Sequence, residues 1–203
     1  MSVPVALVAA ALGMTAPDLN GAMSFDDYPQ WALQQDASTA ALIDVMSNPQ
    51  GRVERCTLVK GYGNTKLAAS VCPIISKRPV HPARLPNGAP GYGVVRSVML
   101  FVLPDTASGR ELSRIRPAAD AMLPVSALPG GVASAQIEVT LLVDEKGQIT
   151  KCEPSARPED ALLGKAVCVA QSQLAATPQI DRAGRPVSYV TTQRIKLVVT
   201  PAK

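Results

Sequence analysis

One histidine, His81, in 203 residues leaves almost no imidazole chemistry for catalysis or metal binding. Aromatic residues are 3% of the chain, so its cores must be built from Val, Leu, Ile and Ala. The four cysteines form no C-x-x-C pair, which excludes a zinc site of the usual spacing. No glycine-rich phosphate loop occurs. A net charge of +4 with 18% charged residues is too mild for a nucleic-acid reader, which needs a dense basic face. A membrane-spanning helix needs about 20 apolar residues. The charge-free stretch Ser2–Ala16 falls short of that. No nucleic-acid partner, integral membrane span, metal or other cofactor is therefore expected.

Enzymatic chemistry finds as little to stand on, and no catalytic residue is assigned. His81 lies in a proline-bearing loop, Pro79-Val80-His81-Pro82, and reads as a solvated loop histidine. The acid pairs Asp144-Glu145 and Glu159-Asp160 are accounted for by a hairpin turn and a helix N-terminus. The cysteines could serve as nucleophiles only if reduced.

What the chain does have is a repeat. Shifted by ninety-six residues, it aligns with itself without a gap over Gly51–Pro90. Gly51 falls on Gly147, Cys56 on Cys152, Leu67 on Leu163, Cys72 on Cys168, Pro82 on Pro178, Gly88 on Gly184 and Pro90 on Pro186. His81 falls on Thr177, so the histidine is not part of the repeated design. Glycine, proline and cysteine carry the most backbone or covalent meaning, and their coincidence indicates a tandem duplication.

Cys56 and Cys72 are sixteen residues apart, as are Cys152 and Cys168. An even count in identical places reads as one disulfide inside each copy and an oxidising compartment. Four reduced thiols in a duplicated cytosolic core are the alternative. Ser2–Ala16 has the length of a signal-peptide apolar region, with cuts after Ala16 or at Ala11-Leu12-Gly13 to choose between. An apolar N-terminal strand or helix is the other reading of that run.

Each copy reads as strand, turn, strand, helix, loop, strand. In the first copy a helix over Pro29–Gln35 precedes strands at Thr39–Met46 and Arg52–Val59, with turn chemistry at Ser47–Gly51. Asn64 is the candidate cap of a helix whose stripe is Leu67, Val71, Ile74 and Ile75. In the second copy, strands over Gln136–Val143 and Gln148–Glu153 flank Gly147, and Pro158–Asp160 open a helix with Leu163, Val167 and Ala170. The last strands are Val94–Leu103 and Val187–Thr200. Asp105–Gly131, rich in Ala, Ser, Pro and Gly, reads as a linker with a short helix near Arg110–Ile115. The fold class expected is α+β: two tandem small domains, each a three-stranded antiparallel sheet (β-hairpin, helix, β) with a helix packed on one face. The boundaries are 1–25 for the signal peptide and polar joint, 26–104 for copy 1, 105–130 for the linker and 131–203 for copy 2.

Tyr28-Pro29-x-x-Ala32-Leu33, the turn ending in Gly51, the helix, Pro82-Ala83, Asn87-Gly88-x-Pro90 and a final apolar strand together resemble the TonB C-terminal domain family. The paired cysteines are similar to those of a disulfide-bearing periplasmic branch. The resemblance covers about residues 26–104 and, more weakly, 130–201, since nothing like Tyr-Pro-x-x-Ala precedes the second hairpin. It implies a non-enzymatic periplasmic domain of a Gram-negative type envelope. Such a domain binds a protein or peptide partner, such as an outer-membrane receptor, by adding a strand to its last strand, in connection with TonB-dependent transport. The candidate edge residues are then Val94, Val95, Val98, Leu100 and Val102 in one copy, and Tyr189, Thr191, Gln193, Ile195 and Leu197 in the other. The competing expectation is a structural envelope protein whose edges pair internally or in a homodimer.

Overall fold

The computed structural model describes residues 13–154 and 161–200. The part of the apolar run Ser2–Ala16 up to Leu12 and the expected helix opening at Pro158–Asp160 lie outside these residues. The repeat is visible first in two hairpins. Thr39–Ser47 (β1) pairs antiparallel with Val53–Gly63 (β2), and Ser134–Val143 (β6) pairs likewise with Ile149–Pro154 (β7). In the first turn the Asn48 Oδ1 accepts the N–H groups of Gln50 and Arg52, both at 3.0 Å. Asp144 does the same for Lys146 and Gln148, both at 2.8 Å.

Each turn closes on a glycine in the left-handed region, Gly51 at φ 73° and Gly147 at φ 85°. A Cβ on Gly51 would sit 2.2 Å from the Val80 carbonyl oxygen, and one on Gly147 would sit 2.3 Å from that of Ala176. The approach is close because the glycine carbonyl takes the N–H of the same loop residue, at 2.9 Å from Val80 and 2.8 Å from Ala176. Glycine therefore ties the hairpin to the loop after the helix, twice, by one device.

Thr65–Ile75 (α2) begins at Asn64, whose side chain accepts the Leu67 N–H at 3.0 Å. Its Leu67, Val71 and Ile75 are fully buried against Ala41, Ile43 and Val45 of β1. Ala161–Gln171 (α4) buries Val167 against Ile137, Val139, Leu141 and Val143 of β6. Cys56 is bonded to Cys72 and Cys152 to Cys168, each pair with Cα atoms 5.4 Å apart. Both bonds clamp helix to hairpin, and they fit an oxidising compartment. No helix among the described residues is long and apolar enough to cross a membrane.

The first copy alone carries the short helix Gln30–Gln34 (α1), in the Tyr-Pro-x-x-Ala-Leu segment. Tyr28 donates its hydroxyl to the Ala37 carbonyl and sets its ring 4.9 Å from Phe101, so the segment lids the open end of that core. The residues before it are not merely a polar joint. Met14, Leu19 and Ala22 are buried, and Thr15 and Asp18 pair with Arg84 and His81 through their backbones.

The α+β class holds, with all but two very short strands joined in one sheet. Pro90–Phe101 (β4) returns beside β1, and Tyr189–Val199 (β10) returns beside β6. The long strands run in the order β2-β1-β4-β10-β6-β7 within an eight-stranded sheet. Ala83–Arg84 (β3) pairs with the start of β4; its counterpart Gln179–Ile180 (β8) pairs with Pro186–Val187 (β9). The two cores lie on opposite faces of the sheet. Val95 and Met99 of β4 pack into the α2 core, whereas Tyr92 and Val94 pack into the α4 core. Residues of opposite parity on one strand point to opposite faces, so β4 serves both cores.

Each copy also reaches over the back of the other. Arg182, in the second copy's loop, donates Nη2 to the Val53 carbonyl at 2.6 Å, and Arg55 meets Gln179. In return Ala83 and Leu85 of the first copy's loop pack with Met14 against Val190 and Leu142. The linker holds Ala107–Leu112 (α3), close to the helix read near Arg110, and a strand that composition did not show, Ala121–Val125 (β5).

Candidate functional site

The two last strands, the candidate edges, meet each other. β4 and β10 pair in parallel through Tyr92–Tyr189, Gly93–Val190 and Val94–Thr191, and then diverge. Gly93 is needed at this crossing, because a Cβ there would fall 2.6 Å from the Ala83 Cβ and 2.5 Å from the Pro17 Cγ. After the crossing β10 is taken up on both sides. β6 lines one edge through Val198, and β5 pairs in parallel with the other over Ile195–Val199.

Charged side chains bridge the fork. Arg96 grips the Asp44 carboxylate with Nε and Nη2, each at 2.7 Å, and lies 3.5 Å from Asp120. The hydrogen bond to Asp44 raises the Arg96 guanidinium further above its ordinary value, against the opposing effect of burial. Asp120 brackets Arg194 from the linker side. Its N–H donates to the Arg194 carbonyl at 2.7 Å and its Oδ2 accepts the Arg194 N–H at 2.8 Å. Arg194 also reaches Glu138 at 3.5 Å and donates Nη2 to the Arg96 carbonyl at 3.2 Å. One acid–base chain thus joins β1, β4, β6 and β10 through Asp120, the residue before β5.

That last bond fixes the direction of the β4 backbone. The Arg96 carbonyl points away from β1 and toward the fork. In an antiparallel ladder the hydrogen-bonding direction alternates, so Val98 and Leu100 also turn their N–H and C=O groups outward. None of these four groups has a partner among the described residues. Arg96–Phe101 is therefore an open strand edge. It borders a groove of about 350 Å³ formed with Pro17, Asp18, Leu19, Asn20 and Met23.

The ten candidate edge residues separate into groups. Val94 and Thr191 are in the β4–β10 ladder, and Tyr189 beside them is buried with its hydroxyl on the Thr177 carbonyl at 2.8 Å. Val95 packs into the first core. Gln193 lines a cleft in the fork with Arg96 and Asp120. Ile195 and Leu197 are buried and paired on both sides. Val102 follows the end of β4. Val98 and Leu100 are on the open edge. Sequence reasoning missed Asp120 and β5; the period-two placement of Ala121, Leu123 and Val125 was the available signal, broken up by Pro124.

No cluster of three metal-ligating side chains occurs among the described residues. His81 is exposed and exchanges backbone hydrogen bonds with Asp18, both at 3.1 Å. Asp144 is occupied in its turn, and Glu159-Asp160 lies outside the described residues. No family model, curated protein or solved structure matches this chain.

Proposed function

We propose that the chain is a non-enzymatic binding protein of the TonB C-terminal type, two copies of one small domain fused through their last strands, working in the periplasm. It takes an extended segment of an envelope protein, such as an outer-membrane receptor, by strand addition along Arg96–Phe101. The observation that carries this reading is the outward, unpartnered backbone of Val98 and Leu100. An extended peptide satisfies such groups with main-chain hydrogen bonds and reads side chains through adjoining pockets. At about 3.3 Å per residue the open edge accommodates a segment of roughly six residues. The first copy is the working one, because β5 occupies the matching edge of β10.

Titrating labelled protein with TonB-box-like peptides tests this. The amide signals of Val98 and Leu100 are expected to shift first, with β10 residues Ile195 and Leu197 unmoved. No shift at millimolar peptide counts against the reading. A second reading, a structural envelope protein with internally paired edges, is favoured by the β4–β10 pairing itself. It leaves the open half of β4 without a role.

A further inference from the structure

Met14 is buried to 5% exposure in the small cluster with Ala83 and Val190, while Gly13 before it is exposed. The Met14 backbone nitrogen donates to Glu153 Oε2 at 2.8 Å, and the other carboxylate oxygen takes the Lys151 ammonium at 2.8 Å. Burial alone would raise the Glu153 carboxyl; the bonds from Lys151 and the Met14 N–H outweigh it and hold the carboxyl below its usual range. A Cβ on Gly13 would sit 3.3 Å from that same Oε2, so a small residue is favoured there. In sequence, Gly13 ends an apolar run and has Ala11 two residues before it, the small-x-small pattern of a signal-peptidase cut.

From these observations we infer that export of this protein ends in hydrolysis of the Gly13–Met14 peptide bond, and that the new amino terminus is received by Glu153. A membrane-bound signal-processing protease breaks the C–N bond. Water supplies hydroxide to the Gly13 carbonyl, leaving a carboxylate, and a proton to the Met14 nitrogen. The amine so formed is protonated at neutral pH. It occupies the position of the present N–H donor, so a bond with one charged partner becomes an ammonium–carboxylate pair with two.

The alternative cut, after Ala16, is disfavoured by the fold. It would remove the buried Met14 side chain and both backbone bonds between Thr15 and Arg84, at 3.2 and 2.9 Å. It would also place Pro17 directly after the broken bond. The cut at Gly13 removes, of the described residues, only the exposed Gly13. Because Met14 is buried in the fold, cleavage takes place on the unfolded chain as it crosses the membrane.

Intact-mass analysis and N-terminal sequencing of the exported, disulfide-bonded protein test the inference. Met14 is expected as the first residue; Pro17 first, or a retained Met1, overturns it. The role of Glu153 is tested separately with protein released from a fusion to begin at Met14, compared with protein that keeps Ala11–Gly13. The Met14 form is expected to melt about 2–4 °C higher, and Glu153→Gln is expected to erase that difference. Equal melting temperatures in the unsubstituted pair would overturn the pairing with Glu153.

Discussion

Alanine at both Cys56 and Cys72 is expected to cost about 3 kcal/mol of unfolding free energy, the chain-entropy value for closing a loop of this length. In a folded chain of this size that is on the order of 6–12 °C in melting temperature. The bond joins β2 to α2, and α2 is in turn held by four buried residues, Leu67, Ala68, Val71 and Ile75. The helix should therefore stay docked in the variant, with the loss appearing in global stability. The second bridge does a different share of the work. Among its described residues α4 buries Gly164, Val167 and Gln171 and no large aliphatic side chain but Val167, so alanine at Cys152 and Cys168 should release α4 locally before the sheet melts. Thermal unfolding followed by circular dichroism, with amide exchange read over α2 and α4, separates the two effects. A loss below about 1 kcal/mol for the first pair would contradict its role as a staple.

Val98→Pro is expected to weaken binding of an extended peptide at least 10-fold while leaving the fold in place. The Val98 N–H points outward, so proline removes no bond of the β1–β4 ladder, and edge strands tolerate it for that reason. It does remove one main-chain donor and puts a ring where the added strand would lie. A hydrogen bond contributes about 0.5–1.5 kcal/mol, and each 1.4 kcal/mol is tenfold in affinity. Leu100→Lys is a companion variant that keeps the backbone donor and sets a charge on the edge. Isothermal titration with the peptide used for the shift mapping reads both. Wild-type affinity in Val98→Pro, with an unchanged melting temperature, would remove β4 from the binding site.

Local chemistry was legible in the sequence, and long-range partnership was not. The two turn glycines, the Asn64 cap, the stripe of α2 and the cysteine pairs each act through a few neighbouring residues, and they stand where the sequence places them; in α4 Gln171 is buried where the sequence points to Ala170. β4 was legible as a strand but not as a shared one. Its mostly apolar stretch, Val94–Leu103, broken only by Arg96 and Ser97, reads as an edge. In the fold it is apolar on both faces because Val95 and Met99 serve one core and Tyr92 and Val94 the other. β5 was hidden by Pro124 and by alanines that suit a linker as well as a strand. The sequence leaves Met14 open between a leader and the folded chain, since nothing local marks it as a partner of Val190 far along the chain.

Residue-level amide hydrogen exchange on the unliganded protein tests the open edge most directly. Val98 and Leu100 are expected to exchange near the rates of unprotected amides, while Val139 and Ile195, in the paired interior of the same sheet, are slowed by several orders of magnitude. Protection of Val98 and Leu100 equal to that of Ile195, with no ligand present, would mean that the edge is already filled, and would contradict the account.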